Sequence, residues 1–507
     1  MTSVVTENIY EIQPFAWGEL PDGWVRCKLP EISEINMGQS PPGRSYNCTG
    51  EGLPFFQGKA DFGDRYPTVR VWCNNPKKIA QPGDVLISVR APVGPTNVAD
   101  RICAIGRGLA AITPLGNIST EIILFRLRLL EPELALSGTG STFTAINKKG
   151  LENIEIDVPP LAEQTRIVEK VEELLARVNA VKKRLARVSR IIKRFRQAVL
   201  TAGCSGRLTA DWRDMQPDLE AADKLVKRIF SKRQEKYVAD CKKAREQGKS
   251  PPQKLENIVS RNVETIGLPE IPNEWTWVYL PFLGIMSRGK SKHRPRNAVH
   301  LYGGPYPFIQ TGDIAQSGGR ITSHQQTYSE AGLAQSHLWP ASTVCITIAA
   351  NIAASAILTY PACFPDSVVG LIPDQDLCFA EYAEFFIRTA RSNIDQFAPA
   401  TAQKNINIGI LNDVAVPLPP HAEQEEIVRR VESLFKLAEV IENRVKATSL
   451  RAEKMIQAIL AKAFRGQLVS TEADFARREG CAYEPASALL ARIKADREAN
   501  EVTREGM

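Results

Sequence analysis

Apolar residues recur at alternating intervals of four and three along a long stretch of the chain, and the pattern occurs twice. The two occurrences lie in residues 159–208 and 419–468. This spacing is the heptad pattern of a coiled coil, in which an apolar seam packs against another helix. The predicted seam positions are Ile167, Val171, Leu174, Val178, Val181, Leu185, Val188, Ile192, Phe195 and Val199, followed by Ile427, Val431, Leu434, Ala438, Ile441, Val445, Met455 and Ile459. We therefore predict two long helices that pack against each other in antiparallel orientation.

The two stretches are copies of one segment, since PPLAEQ opens the first and PPHAEQ opens the second. Pro159-Pro160 is expected to end a preceding strand, because the residue before a proline avoids helical conformation. Glu163 places a carboxylate in the first helical turn, where the helix dipole favours negative charge. Gly203 and Gly206 are expected to end the first helix.

The segment before the first helix contains short apolar runs bounded by Gly, Pro and Asn, which is typical of strands and turns. The predicted strands are Val69–Cys73, Val85–Val89, Ile102–Ile105 and Ile122–Leu130. The segment lacks the regular alternation of strand and helix that would indicate a doubly wound sheet. The segment begins again at residue 272, because PNEW (272–275) matches PDGW (21–24) and PFIQ (307–310) matches PFFQ (54–57).

The predicted fold class is α+β, with two mixed α/β domains separated by two long antiparallel coiled-coil helices in a pseudo-twofold internal repeat. The predicted boundaries are domain 1 at 1–158, helix 1 at 159–208, a charged helical spur and linker at 209–270, domain 2 at 271–418, helix 2 at 419–468 and a helical tail at 469–507. The charged helix of the spur is placed at about 220–246. Residues 225–229 (LVKRI) match residues 489–493 (LLARI), so the tail repeats the spur.

Composition narrows the class of protein without identifying it. The 507 residues are 43% hydrophobic and 24% charged, with a net charge of +7 that is compatible with nucleic-acid binding. The ten cysteines are scattered and form no CxxC pair, so we expect reduced thiols and no metal site. No apolar run approaches a membrane span and no signal segment opens the sequence, so a cytoplasmic protein without membrane association is expected.

One enzyme motif matches by pattern, but its context is wrong. Residues 284–291 (GIMSRGKS) fit the phosphate loop, which requires a strand before it and a helix immediately after it. A proline follows instead at position 295, and the matching position of the first copy has no lysine. No methyltransferase motif and no metalloenzyme histidine pattern is present. We therefore expect a non-catalytic chain with no cofactor of its own.

Polar and basic residues cluster around the turns of both domains. Arg and Lys suit the edges of guanine and Asn and Gln suit adenine, so these residues are candidates for DNA binding. The candidates are Arg44, Asn47, Gln57, Lys59, Arg90, Lys148, Lys149, Lys290, Lys292, Arg294, Arg296, Gln310, Asn351, Gln403 and Lys404. A run of eight cations between positions 182 and 196 of the first helix is either a solvated face or a second phosphate-binding surface.

Taken together, the repeated motifs resemble the specificity subunit of type I restriction–modification enzymes. The resemblance rests on PPLAEQTRIVEKVEELL and PPHAEQEEIVRRVESLF, on PDGW and PNEW, and on AINKKGLENI and NINIGILND, and it covers nearly the whole chain. It implies that each domain is a target recognition domain reading one half of a split site in double-stranded DNA, with the helices as spacer.

The resemblance also implies partner subunits. Two methyltransferase subunits would carry S-adenosylmethionine, and a translocating nuclease subunit would use ATP and Mg²⁺. The function implied for the whole complex is host defence. The charged insert at 211–262 departs from the common pattern of the family. Two alternatives stay open at this point: a stand-alone tandem DNA-binding regulator with coiled-coil association, and a P-loop NTPase.

Overall fold

The computed structural model describes residues 19–137, 145–250, 263–292, 295, 298–348, 354–390 and 408–505, and side chains up to 499. The strands within these ranges are β1 (Val25–Lys28), β2 (Ser33–Met37), β3 (Tyr46–Asn47), β4 (Leu53–Phe56), β5 (Trp72–Cys73), β6 (Ile79–Ala80), β7 (Val85–Ser88), β8 (Thr96–Val98), β9 (Cys103–Ile105), β10 (Leu109–Pro114), β11 (Glu155–Val158), β12 (Thr276–Tyr279), β13 (Gly284–Arg288), β14 (Tyr302–Phe308), β15 (Arg320–Ile321), β16 (Gln326–Tyr328), β17 (Val344–Thr347), β18 (Ser355–Leu358), β19 (Val368–Pro373) and β20 (Ala415–Leu418).

The helices are α1 (Leu29–Ile32), α2 (Thr120–Ser137), α3 (Lys148–Glu152), α4 (Leu161–Cys204), α5 (Ala210–Asp214), α6 (Ala222–Glu246), α7 (Thr311–Gln316), α8 (Glu330–Ala334), α9 (Ala380–Ala390), α10 (Ile408–Asn412), α11 (His421–Ala463), α12 (Glu472–Glu479) and α13 (Ala486–Glu505). The two long helices are α4 and α11, and both begin directly after a Pro-Pro pair, as predicted. Helix α4 ends at Cys204, between the two predicted stop residues Gly203 and Gly206, and Gly206 has a positive φ of 75°.

The chain divides into two compact units, and each long helix contributes to both. Unit 1 comprises residues 1–186 and 446–507, and unit 2 comprises residues 187–445. Unit 1 therefore contains domain 1, the first part of α4 and the last part of α11, whereas unit 2 contains domain 2 and the complementary parts.

Two sheets and a ribbon form domain 1 in unit 1. The antiparallel sheet has the order β2-β10-β7-β8, and a mixed sheet has the order β3-β5-β4-β9-β6, in which β4 and β9 are parallel. Strands β1 and β11 form a separate antiparallel ribbon, with Val25 opposite Val158. The ribbon brings the first strand of the domain next to the last, just before α4 begins.

The prediction of a strand at Ile122–Leu130 is wrong, because these residues lie in helix α2. Nearly all apolar side chains of this stretch are buried, including Ile122, Phe125 and Leu130. A helix that is buried on most of its circumference is apolar on all sides and loses the 3.6-residue pattern. An apolar run of this kind cannot be distinguished from a buried strand by periodicity alone.

In unit 1 the two long helices pack in antiparallel orientation. Lys182 in the middle of α4 pairs with Glu453 on α11 at 3.7 Å. Arg166 near the start of α4 pairs at 2.6 Å with Glu472, the first residue of α12, which follows the end of α11. The start of α4 therefore lies near the end of α11. The tail packs against the same core, since Leu489 and Ile493 of α13 are buried with it.

Unit 2 repeats this plan around domain 2. Its mixed sheet has the order β13-β19-β17-β18-β15, and the ribbon of β12 and β20 corresponds to that of β1 and β11. Arg196 of α4 pairs with Glu442 at 2.9 Å, and Gly203 faces Ile427, so the helices are again antiparallel. The helix predicted as a spur is only partly free, because Leu225 at the start of α6 is buried in this core.

Most predicted seam residues are removed from solvent. Ile167, Val171, Val178, Ile192, Val199, Ile427, Val431, Ala438 and Ile459 are buried, and Leu174, Leu185, Val188, Phe195, Leu434 and Val445 are half-buried. Val181, Ile441 and Met455 do not follow the prediction, because they are 42%, 38% and 54% exposed. Near the end of α11 Ile456 packs against the core of unit 1 in place of Met455. An α-helix drifts against a strict heptad by about 20° per repeat, which explains a shift of one position over several heptads.

Candidate nucleic-acid interface

Domain 1 is fixed to α4 by buried hydrogen bonds of the AEQ motif. The indole Nε1 of Trp24 donates to Glu163 Oε1 at 3.0 Å, and the backbone N–H of Glu472 donates to Glu163 Oε2 at 2.8 Å. The side chain of Gln164 accepts from the backbone N–H of Ser119 at 3.1 Å and donates to the carbonyl of Pro159 at 2.9 Å. Burial raises the pKa of the Glu163 carboxyl. These motif residues have a structural role at the junction of domain and helix.

Domain 2 is fixed to α11 by the equivalent residues of the second copy and by an additional arginine, Arg213. Trp275 Nε1 donates to Glu423 Oε2 at 2.9 Å, and Gln424 accepts from the backbone N–H of Phe379 at 3.1 Å. Glu423 is fully buried and also accepts from Thr209 Oγ1 and Arg213 Nη2, each at 2.7 Å. A buried carboxylate requires such partners, because an unpaired charge in the interior is strongly unfavourable.

One arginine of each domain also links that domain to its long helix. Arg65 pairs with Glu121 on α2 at 2.6 Å and with Glu172 on α4 at 2.5 Å. In unit 2, Arg320 pairs with Glu381 on α9 at 3.0 Å and with Glu432 on α11 at 2.8 Å. Each domain is thus held to its helix at two separate places, so the direction of its exposed edges is fixed within its unit.

One exposed edge of domain 1 collects several of the predicted DNA-binding residues. The parallel strands β4 and β9 end side by side, because Phe56 lies opposite Ile105. Gln57 follows β4, and the turn from Gly106 to Leu109 follows β9, with Gly106 N–H donating to the Phe56 carbonyl at 2.8 Å. Gln57 and the residues of this turn are therefore neighbours.

Two further segments complete this edge. After β2, Gly38 N–H donates to the Leu109 carbonyl at 2.9 Å, which places Gln39 beside the turn. After β7, Val89 N–H donates to the Gly108 carbonyl at 2.9 Å, which places Arg90 there as well. We call Gln39, Gln57, Arg90 and Arg107 the domain 1 edge.

The other sequence-based candidates of domain 1 differ in their relation to this edge. Lys59 is exposed and follows Gln57 in the chain. Lys148 and Lys149 are exposed and follow a segment that contacts Val89, the residue before Arg90. Lys148 also pairs with Glu152 at 3.6 Å. Arg44 is exposed in the loop before β3. The Asn47 carboxamide is used within its own loop, where its Oδ1 accepts from the backbone N–H groups of residues 49, 50 and 51 at 3.0–3.1 Å.

Arg107 is a member of the domain 1 edge that the sequence argument missed. It occupies the tip of the β9–β10 turn, is exposed, and its backbone N–H donates to Ser40 Oγ at 3.3 Å. The signal that could have found it is the tripeptide Gly106-Arg107-Gly108 between two apolar runs, which is typical of a turn that presents a single side chain.

Domain 2 has an equivalent edge with different side chains. Gly289 N–H donates to the Val368 carbonyl at 2.9 Å and Ile309 N–H donates to the Cys363 carbonyl at 2.8 Å, so Lys290 and Gln310 occupy the positions of Gln39 and Gln57. Lys290 and Lys292 are exposed, and Gln310 Nε2 donates to Gln326 Oε1 at 2.6 Å. The candidates Arg294, Arg296, Asn351, Gln403 and Lys404 lie outside the described residues.

The phosphate-loop pattern at 284–291 does not form a phosphate loop. Gly284–Arg288 is strand β13, which pairs with β19, and Gly289 packs against the carbonyl of Pro365. The next element in the described part of the chain is a short 3₁₀ turn at Val299–Leu301, not a helix that could direct its N-terminus at a phosphate. The geometry therefore removes the basis for an NTPase.

The basic run of α4 is partly paired. Lys182, Lys183 and Arg196 form ion pairs with Glu453, Asp64 and Glu442 at 3.7, 3.5 and 2.9 Å. Arg184, Arg187, Arg190, Lys193 and Arg194 are exposed and form no ion pair with any described residue. In unit 2 the cations at 187, 190 and 194 are spaced by three and four residues and share one face of the helix. Contact of this face with phosphate stays a prediction.

No disulfide, metal-ligand cluster or candidate membrane-spanning helix occurs in the described part of the chain. All ten cysteines are unpaired. Across the described ranges, no group of His, Cys, Asp or Glu side chains is arranged to hold a metal ion. None of the helices described is both long enough and apolar enough to cross a bilayer.

A family comparison identifies the chain. The model of the type I restriction modification DNA specificity domain matches twice, at residues 21–190 and 284–448. The chain belongs to this family. The first match contains Glu163 and Arg65, and the second contains Glu423 and Arg320. Trp275, the tryptophan partner of Glu423, lies just before the second match.

Curated proteins that are similar to this chain in sequence include type I specificity subunits. The EcoDI specificity subunit of Escherichia coli is 29% identical over 95% of the chain and 97% of its own length. A putative MjaX specificity subunit of Methanocaldococcus jannaschii is 41% identical over 34% of the chain and 42% of its own length. The crystal structure of the HsdS subunit from Thermoanaerobacter tengcongensis aligns over 89% of the chain and 98% of its own, at 18% identity and a TM-score of 0.45.

Proposed function

We propose that the chain selects the DNA target of a type I restriction–modification system. Domain 1 binds one part of a two-part site in double-stranded DNA and domain 2 binds the other. The chain carries out no chemistry itself. Methyltransferase subunits that hold S-adenosylmethionine modify the selected site, and nuclease subunits that use ATP and Mg²⁺ act on unmodified DNA.

The observation that carries the proposal is a shared framework with different edges. Both domains use the same Trp–Glu, Gln–backbone and Arg–Glu contacts to their helices. The exposed edges differ, since Gln39 in domain 1 corresponds to Lys290 in domain 2. This is the arrangement expected of two recognition domains that are fixed to their helices in the same way but recognise different bases, because specificity comes from the side chains that reach base edges.

The test is co-expression of the chain with the methyltransferase subunit of the same system, followed by sequencing of methylated adenines in the host genome. We expect methylation confined to one two-part sequence. Paired variants in domain 1 and domain 2 should each change one part only. Methylation without sequence preference, or loss of both parts from a change in one domain, would contradict the proposal.

The main alternative is a stand-alone tandem DNA-binding regulator. A chain that binds one sequence tightly as a free monomer, and gains nothing from methyltransferase subunits, would favour that alternative. The role of the long helices as a spacer stays a prediction from the sequence. Insertion of one heptad into each helix should lengthen the unspecified spacer between the two methylated parts, and an unchanged spacer would disprove this role.

A further inference from the structure

We propose that domain 1 recognises a guanine in its half-site through Arg107, with Arg90 beside it as a phosphate contact. The proposal rests on the function proposed above and specifies the chemistry of one reading position. Domain 2 is expected not to read guanine at the equivalent position, which carries Asp366.

Arg107 is held on a rigid support. The turn that carries it is enclosed by Gly38 on one side and by Gln57 on the other, with contacts so close that a Cβ at Gly108 would overlap the Gln57 carbonyl oxygen and a Cβ at Gly38 would overlap that of Gly106. Only glycine permits this approach of one backbone to another. The turn cannot shift without displacing β2 and β4, so the base of the Arg107 side chain is fixed before DNA binds.

The two arginines of the edge lack internal partners. Arg90 and Arg107 lie at the end of adjacent antiparallel strands, one residue beyond the hydrogen bond from Val89 N–H to the Gly108 carbonyl. Both are exposed, and neither guanidinium forms a hydrogen bond or ion pair with another side chain in the part of the chain that the structure describes. Like charges opposite each other on neighbouring strands are unfavourable, and an anionic ligand removes this penalty.

The chemistry of the tip selects guanine. An arginine on a fixed backbone donates two parallel hydrogen bonds, and the major-groove edge of guanine presents two acceptors, O6 and N7. Adenine offers one acceptor and one donor there, and cytosine offers a donor. In domain 2 the same turn carries Asp366, whose neighbour Ser367 accepts a backbone hydrogen bond from Ile348 at 3.0 Å just as Gly108 does from Val89. A carboxylate donates no hydrogen bond when ionised and cannot replace arginine at guanine.

The test is a binding selection with the full chain in complex with its methyltransferase subunits. The probe is a library of randomised double-stranded DNA, and the bound fraction is sequenced. The variants are Arg107→Ala, Arg107→Lys and Arg90→Ala. The matched control is Arg101→Ala, because Arg101 is an exposed arginine at the opposite end of β9 that pairs with Asp100 at 2.7 Å.

We expect Arg107→Ala to reduce the preference for guanine at one position of one half-site by about five- to 150-fold, the range of one bidentate pair. Arg107→Lys should keep most of the affinity but lose most of this preference, since lysine has no planar fork. Arg90→Ala should weaken binding to all sequences alike and reduce the slope of log affinity against log salt by about one. Arg101→Ala should change neither property.

The outcomes separate the two proposals. A wild-type complex that selects no two-part sequence overturns the proposed function. A wild-type complex that selects one, with variants at Arg107 that leave every position unchanged or weaken all sequences alike, overturns the guanine assignment and leaves the proposed function intact. Thermal unfolding of each variant within about 2 °C of wild type excludes misfolding, and failure of Arg107→Ala alone leaves Arg107→Lys to decide.

Discussion

Removing Arg213 should destabilise unit 2 specifically. Its guanidinium pairs at 2.7 Å with Glu423, a carboxylate with no exposed surface, and also donates to the Gly206 carbonyl at 2.6 Å. Loss of one partner from a buried ion pair costs about 3–5 kcal/mol. Because Trp275 and Thr209 still donate to Glu423 in Arg213→Ala, we expect the lower end, about 3 kcal/mol.

The assay is hydrogen exchange of backbone amides, read by peptides. Peptides of unit 2 around Ile427 and Val431 should exchange about a hundredfold faster in Arg213→Ala if they open with the whole unit, while peptides of unit 1 around Ile167 serve as internal reference. Adding Glu423→Gln should recover at least half of the loss, because the unpaired buried charge is gone.

Glu163 supplies the matched comparison. Its carboxyl accepts from the equivalent tryptophan, Trp24, no arginine of the described residues donates a hydrogen bond to it, and burial raises its pKa. The ionised form is therefore already disfavoured in the folded state, and Glu163→Gln should change the stability of unit 1 by less than about 1 kcal/mol. The reasoning is refuted if Arg213→Ala changes unit 2 by less than 1 kcal/mol, or if Glu423→Gln gives no recovery.

Three further predictions concern other parts of the chain. Burial raises the pKa of Glu384 from 4.5 to about 6, so the folded state holds this proton more tightly. The stability of unit 2 should therefore fall by about 2 kcal/mol in total as pH rises from well below 4.5 to well above 6, most steeply between these two values; urea unfolding of Glu384→Gln should lack this part of the pH dependence. Ile493→Ala, at a buried position of α13, should destabilise unit 1 by about 2–5 kcal/mol, whereas Val238→Ala on the exposed side of α6 should stay within about 0.5 kcal/mol, and equal effects would contradict docking of the tail. Lys290→Ala should lower the salt slope of DNA binding by about one, and Mg²⁺-ATP should shift the melting temperature of neither variant nor wild type; a shift with wild type alone would restore the nucleotide-binding hypothesis.

The sequence predicted the long helices well because their pattern extends over many turns. Deviations from it, such as Met455, come from the drift of a real helix against an ideal heptad. Helix α2 was mistaken for a strand because a buried helix has no polar face to reveal its period. Arg213 was not recognised as a partner of Glu423, since nothing in a sequence shows which distant cation reaches a buried carboxylate.

The candidate site was predicted only in part, for a similar reason. Residue type next to a turn is enough to predict Gln57 and Arg90 as candidates, and the structure places them at one edge. Arg107 was missed because its importance comes from the contacts of the glycines that flank it with Gln57 and Gly38, which lie about 50 to 70 residues earlier in the chain. The sequence predicts only a helix start at the AEQ motif, whereas its Glu and Gln side chains join the helix to a domain.

The division of the long helices between the units sets an order for folding during synthesis. All of unit 2 lies within the single segment 187–445, so its whole core has been synthesised before residues 446–507 of unit 1 are added. Domain 1 is synthesised before unit 2, yet Leu460, Leu489 and Ile493 of its core are synthesised after unit 2. The nascent chain must therefore carry domain 1 with part of its apolar surface uncovered, which is the state in which aggregation and capture by chaperones compete with folding. A translation stop shortly after residue 445 would leave unit 2 whole and unit 1 without its closing segment.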